Sequence, residues 1–159
     1  MTSNVSMNPG DYVFFWSGPF SNWYKSDFVV DNIRFNCGEQ YMMHAKAVIF
    51  DDRESAVKIL QETDPRSQKA LGRSVKGFDS ATWDAVKYGV VKKGLIAKFR
   101  QNPKLLELLK YTRGKMLVEA SPYDRVWGIG FSSDDAMDNI DSWGENLLGK
   151  ILTELAVEL

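Results

Sequence analysis

The chain has 159 residues, with 20 Lys and Arg against 21 Asp and Glu, a formal net charge of -1, and hydrophobic and aromatic shares of 44% and 13%. That length and apolar content can enclose a core without metal or disulfide staples, so one domain over residues 1–159 is expected. The near-neutral charge argues against nucleic-acid binding through a general basic field. The lone cysteine, Cys37, excludes an internal disulfide, and no stretch reaches the roughly 20 apolar residues of a membrane span.

Residues 1–11 read as a loose arm without the pattern of a secretory leader, and a cytoplasmic protein is expected. "YVFFWS" (12–17) reads as a buried aromatic strand, followed by a loop broken at Gly18-Pro19. "FVVDNIRFN" (28–36) has the form of a hairpin, with Asp31-Asn32 as two turn residues that tolerate positive φ. A helix opens at Gly38 or Glu39. A second, "RESAVKILQET" (53–63), ends at Asp64-Pro65, because the residue before proline is pushed out of the helical region. "SQKALGRSVKGFD" (67–79) predicts a short helix running into a glycine-broken loop.

Asp79 or Ser80 caps a long helix, "ATWDAVKYGVVKKGLIAKFRQN", which Pro103 ends or restarts. Its predicted core stripe is Trp83, Val86, Val90 and Leu95 or Ile96. Gly89 and Gly94 each cost that helix about 1 kcal/mol relative to alanine. "PKLLELLKYT" is a further amphipathic helix, "KMLVEA" (115–120) a strand and "SPYDRVWGIGFSSDD" a loop. "SWGENLLGKILTELAVEL" closes the chain as a helix. The elements sum to a mainly helical α+β domain with a small β element, and their irregular alternation argues against a doubly wound sheet.

The stretch "NCGEQYMMHAKAVIF" (36–50) carries the chemistry. Glu39 and Lys46 are seven residues apart, so they return to within about 20° on a helical wheel and share a face with Met42, Met43 and Phe50. Charges on an apolar face are costly. One reading is an ion pair whose long stems cover apolar surface. The other is a pocket wall, where burial raises the carboxylate's pKa and lowers the amine's while their attraction opposes both shifts. A neutral lysine is a nucleophile towards an aldehyde or latent sugar carbonyl, and a neighbouring carboxylate can move protons.

Other site types fall away. One His and one Cys cannot build a structural zinc site, and "WGIG" lacks the third glycine of a dinucleotide fingerprint. Cys37 reads as inert packing and His44 as a core or boundary residue. The loops "FSNWYKSDF", "YDRVWGIG" and "SWGENLLG" combine aromatic rings with polar groups suited to a base, a sugar or a phosphate.

Six ordered motifs, "FSNWY", "GEQYMMHAKA", "LGRSVKG", "TWDAVKYGVVKKGLIAKF", "KMLVEASPYDRVWGIG" and "WGENLLGKIL", resemble those of the YbiA-like, or NADAR, N-glycosidases across residues 14–155. The resemblance implies a single compact YbiA-like α+β domain that cleaves the bond between a ribose and a base-like nitrogen. It implies ADP-ribosylated guanine or phosphorylated riboflavin-pathway intermediates as substrates, the former free or on a nucleic acid; no cofactor is expected, and nothing calls for a metal, although a diphosphate substrate could bring one. Carried over by position, Glu39, Lys46 and Asp124 are the expected catalytic residues. Ser21, Asn22, Arg73, Trp83, Trp127 and Asn146 are the expected substrate contacts. The chain departs from relatives at His44 and Ile129. Lys46 would either form a Schiff base with the sugar or only orient it while water attacks an oxocarbenium ion. The competing readings are a non-catalytic ADP-ribose or nucleotide-binding module and a structural interaction protein.

Overall fold

Polar side chains that close helix ends explain much of the local structure in the computed structural model, which describes residues 6–159. Part of the expected N-terminal arm, residues 1–5, lies outside the described residues. The rest holds a 3-10 turn at Pro9–Asp11, where Asn8 Oδ1 accepts from Gly10 N at 3.0 Å and the Tyr12 hydroxyl donates to Ser6 O at 2.7 Å. The described chain is mainly helical with four short strands, an α+β composition, and it divides into two compact units.

The first unit runs continuously from Asn22 to Pro103. Strands β2 (Phe28–Val30) and β3 (Ile33–Phe35) pair antiparallel around Asp31 and Asn32, whose φ angles of 52° and 66° supply the expected tight turn. Helix α1 (Gly38–Ile49) follows and packs against α2 (Arg53–Gln61), α3 (Pro65–Arg73) and α4 (Ser80–Arg100). Pro65 does more than stop α2: it occupies the first turn of α3, with Asp64 as the cap. Asp79 caps α4, its side chain accepting from Thr82 N at 2.9 Å.

Two buried glutamines fix the start of α1. Gln40 Nε2 donates to Ile59 O at 3.0 Å and Glu62 O at 3.1 Å, satisfying carbonyls at the end of α2. Gln68 Nε2 donates to Glu62 O at 2.8 Å, and its Oε1 accepts from the Cys37 thiol at 3.1 Å. Phe28, Phe35 and Tyr41 form an aromatic core beside them.

Helix α4 corrects one expectation. Trp83, Val91, Leu95 and Phe99 are buried, whereas Val86 is exposed and Val90 and Ile96 are only half-buried. The expected stripe drifts because α4 also buries Gly94 and Lys98, residues that a hydrophobic pattern cannot register.

The second unit joins the chain up to Ser21 with Lys104–Leu159. Strand β1 (Tyr12–Phe15) pairs in parallel with β4 (Met116–Glu119), and α7 (Leu147–Glu158) packs on β4. Helix α5 (Pro103–Lys110) precedes β4. The segment expected as loop runs into α6 (Ser133–Ala136), and a 3-10 turn at Met137–Ser142 follows it. Tyr12, Val118, Ala120, Ile129, Ala136 and Ile140 form its apolar core, with the Trp143 ring set edge-on to Tyr12 at 5.3 Å.

Candidate functional site

Loop and helix meet tightly at the N-terminus of α1. Cys37 occupies the cap position without a side-chain capping bond, and Asn22 O accepts the Glu39 amide proton at 2.9 Å. A Cβ at Gly38 would stand 2.5 Å from Asn22 Oδ1, so glycine is what lets the loop lie against the helix. That Oδ1 is buried and finds no hydrogen-bond partner among the described residues.

Glu39 is only 5% exposed, and its Oε1 accepts a hydrogen bond from Trp23 Nε1 at 3.0 Å. Met42 and Met43 are buried beside it on the expected face, with half-buried Phe50 at the end of α1. Lys46 is half-buried, with Nζ 4.5 Å from the centroid of the Phe78 ring. Burial lowers its pKa below the ordinary lysine value, against the pull of the Glu39 carboxylate and with added repulsion from Arg73. Glu39, Lys46 and Arg73 are therefore electrostatically linked, although Arg73 lies on α3. The Phe78 ring favours the ammonium and competes with these depressing effects.

The segment carrying Phe78 is itself pinned. Asp52 accepts from Lys76 N at 2.9 Å, Ser55 N at 3.1 Å and Ser55 Oγ at 2.6 Å, which hold its carboxyl down at about 2. Phe50 meets Phe78 edge-on at 5.2 Å. Helix α3 can approach α1 because Gly72 faces Met43; a Cβ there would stand 3.2 Å from Met43 Cβ and overlap its sulfur. Trp83, the aromatic residue of this unit expected to contact substrate, is buried near the start of α4.

Ser21, Asp124, Trp127 and Asn146 belong to the other unit. Ser21 is buried and its amide donates to Gly18 O at 2.9 Å. Asp124 Oδ1 accepts from the Val126 and Trp127 amides, both at 2.9 Å, and so shapes the turn that carries the half-buried Trp127. Asn146, in the left-handed conformation, accepts from Glu119 N at 3.0 Å and donates to Leu117 O at 3.0 Å. Its amide thus ties the residue at the start of α7 to β4.

Several residues around the pair escaped the sequence reading. Trp23 lay inside the quoted "FSNWY" motif without a role, and Phe78 gave no signal at all. Lys98, in the "AKF" segment, is fully buried on α4, 5.9 Å from the Tyr24 ring, and burial lowers its pKa to about 8. Cys37 is fully buried, and burial raises its thiol to about 11, which makes it a poor nucleophile. His44 sits at the boundary, edge-on to Phe35 at 5.4 Å. Among the described residues, no three His, Cys, Asp or Glu gather as metal ligands, and no helix is long and apolar enough to cross a membrane.

The chain is similar to known proteins over most of its length. The NADAR domain model matches residues 14–159. An N-glycosidase of Acanthamoeba polyphaga mimivirus is 36% identical, over 96% of this chain and 98% of its own length. The N-glycosidase YbiA of Escherichia coli (strain K12) is 31% identical, over 89% of this chain and 81% of its own. The NMR structure of E. coli YbiA superimposes with a TM-score of 0.76 at 30% identity, covering 92% of this chain and 83% of that one.

Proposed function

We propose, from the premise that the chain belongs to the NADAR domain family and is a hydrolase acting on N-glycosyl bonds, that Glu39 and Lys46 are its chemical pair and a ribosyl N-glycoside its substrate. The observation that carries this reading is the pair itself. A carboxylate 5% exposed and an amine depressed by burial sit on one helix face, coupled to each other. Burying the carboxylate and half-burying the amine is a cost that packing alone does not require.

In this reading the lone pair of neutral Lys46 attacks the anomeric carbon as the bond to the base nitrogen breaks. The leaving nitrogen takes a proton delivered through Glu39. Loss of the amine proton with opening of the sugar ring gives an imine, and water adds to that carbon and expels Lys46 unchanged. The direction of the Lys46 shift favours this route over one in which lysine only orients the sugar, because a larger fraction is neutral. Arg73, close enough to Lys46 to repel it, is suited to a substrate phosphate. Asn22 offers its buried Oδ1 to a donor on the ligand, and Trp83 an aromatic wall. In the second unit Asp124 and Asn146 order the backbone, while the catalytic role of Asp124 and the substrate contacts of Ser21, Trp127 and Asn146 are carried over from the family motifs.

The finer substrate reading is ADP-ribosylated guanine or guanosine, with phosphorylated riboflavin-pathway intermediates as the second class. Both join a ribose, a phosphate and a planar heterocycle. A mass-spectrometric turnover assay offers ADP-ribosylated guanosine and a phosphoribosyl-aminopyrimidine in parallel to wild type and Glu39→Gln. Wild type alone should release ADP-ribose or ribose phosphate, and the compound consumed names the class. Turnover of neither compound by wild type would sink the substrate reading. Borohydride added during turnover should leave a reduced sugar adduct on Lys46, and its reproducible absence would remove the imine route.

A further inference from the structure

Trp23 combines a partly exposed position with a specific polar contact. The residue is 41% exposed, although tryptophan gains most from burial. Its single polar atom, Nε1, is spent on Glu39 Oε1 at 3.0 Å. Indole N–H is a donor only, so this bond has one direction. The neighbouring residue of the same loop, Asn22, accepts the Glu39 amide proton at 2.9 Å. Two consecutive loop residues thus grip one glutamate, the first by its backbone and the second by its carboxylate. The other carboxylate oxygen, Oε2, is buried as well. A hydrogen bond donated to a carboxylate is stronger than a neutral one and favours the ionised form.

We propose that Trp23 is a positioning residue of the hydrolase: its indole N–H holds one oxygen of the Glu39 carboxylate and so fixes the orientation of the whole group. The inference rests on the reading of Glu39 as a chemical group and adds to it the residue that sets its rotamer. The carboxylate is held before substrate arrives, and part of the orientation cost is removed from the chemical step. Because the residue stays partly exposed, the tether costs the site little room.

Trp23→Phe tests the idea, since it keeps an aromatic ring in the loop and removes only the N–H and part of the ring. Turnover is measured on whichever N-glycoside the wild type cleaves. kcat should fall by about tenfold, the scale of one lost charge-assisted hydrogen bond, with KM changing by less than about twofold. A Trp23 with a merely structural role would lower the melting temperature and leave the kcat of the folded protein alone, and that result would overturn the proposal. A second readout does not depend on activity. In nitrogen-15-labelled protein the Trp23 indole N–H resonance, assigned through its nuclear Overhauser contacts, should shift when Glu39 is replaced by Gln. An indole resonance indifferent to Glu39→Gln would overturn the tether even if Trp23→Phe failed to fold. Full turnover by Glu39→Gln would instead remove the chemical role of Glu39, and with it the catalytic purpose of a tether that the resonance could still report. Inactive Glu39→Gln with fully active Trp23→Phe would remove the positioning role alone.

Discussion

Two lysines show how differently one residue type can be used. Lys46 is half-buried beside a carboxylate and another cation, whereas Lys98 is fully buried and depressed from 10.5 to about 8. Because the folded-state value of Lys98 lies below the unfolded one, the unfolded chain binds more protons between pH 8 and 10.5, and stability rises with pH through that window. The Cys37 thiol, raised from 9.0 to about 11, opposes the rise increasingly from pH 9 upward, since the unfolded thiol ionises first. Lys98 therefore dominates between pH 8 and 9, where it should add about 1 kcal/mol to the unfolding free energy. Urea unfolding at closely spaced pH values should show this rise in wild type and not in Lys98→Met. Parallel slopes in the two proteins would mean that Lys98 keeps its charge in the fold. At the residue scale the sequence showed which side chains share the α1 face, because that follows from spacing. It could not show Trp23 against Glu39 or Phe78 against Lys46, since both contacts bring together residues from separate segments.

The close approach of α1 to its neighbours depends on glycine. Gly94 of α4 faces Tyr41 of α1, and an added Cβ would stand 2.4 Å from the ring. Gly89, little more than one turn earlier, has nothing within 4 Å. The sequence assigned both the same helix-propensity cost of about 1 kcal/mol, yet only one of them is explained by packing. Gly89→Ala should recover much of that cost and raise the melting temperature by a few degrees, because the new methyl meets open space. Gly94→Ala gains the same propensity but forces α4 or the Tyr41 ring to move, and a net loss of about 1–3 kcal/mol is expected. Thermal unfolding of the two variants decides it. If both stabilise, α1 and α4 can separate freely, and the α1 face is less rigid than its packing indicates. Helix starts were legible where a side chain caps the helix, as with Asp79, and the Asp31-Asn32 turn was legible from its two residues. The buried stripe of α4 was legible only at Trp83 and Leu95, because a glycine and a lysine occupy core positions that hydrophobicity assigns to larger apolar neighbours.

For the molecule as a whole, the pairing of β1 with β4 was the feature furthest from sequence reasoning. Both strands are short apolar runs with clear local signals, but a parallel ladder has no turn to announce it. Tyr12 lies opposite Met116, so the pairing must close about 100 residues of chain, whereas the β2–β3 hairpin closes over two. Loop closure across that distance costs roughly 2–4 kcal/mol more than across a hairpin-sized loop if the intervening chain is unstructured. The intervening chain is the continuous unit from Asn22 to Pro103, which has its own core and its own knot of glutamine hydrogen bonds. Folding that unit first shortens the effective loop and reduces the cost before β1 and β4 meet. The expected order is therefore protection of amides in α1 and β3 before those in β4. Pulse-labelling hydrogen exchange read by mass spectrometry should resolve it, with peptides covering residues 38–49 protected in an earlier phase than those covering 116–119. If the β4 amides gain protection in the same phase as α1, the continuous unit does not fold ahead of the pairing. The parallel strands would then form in one step with it, despite the length of chain between them.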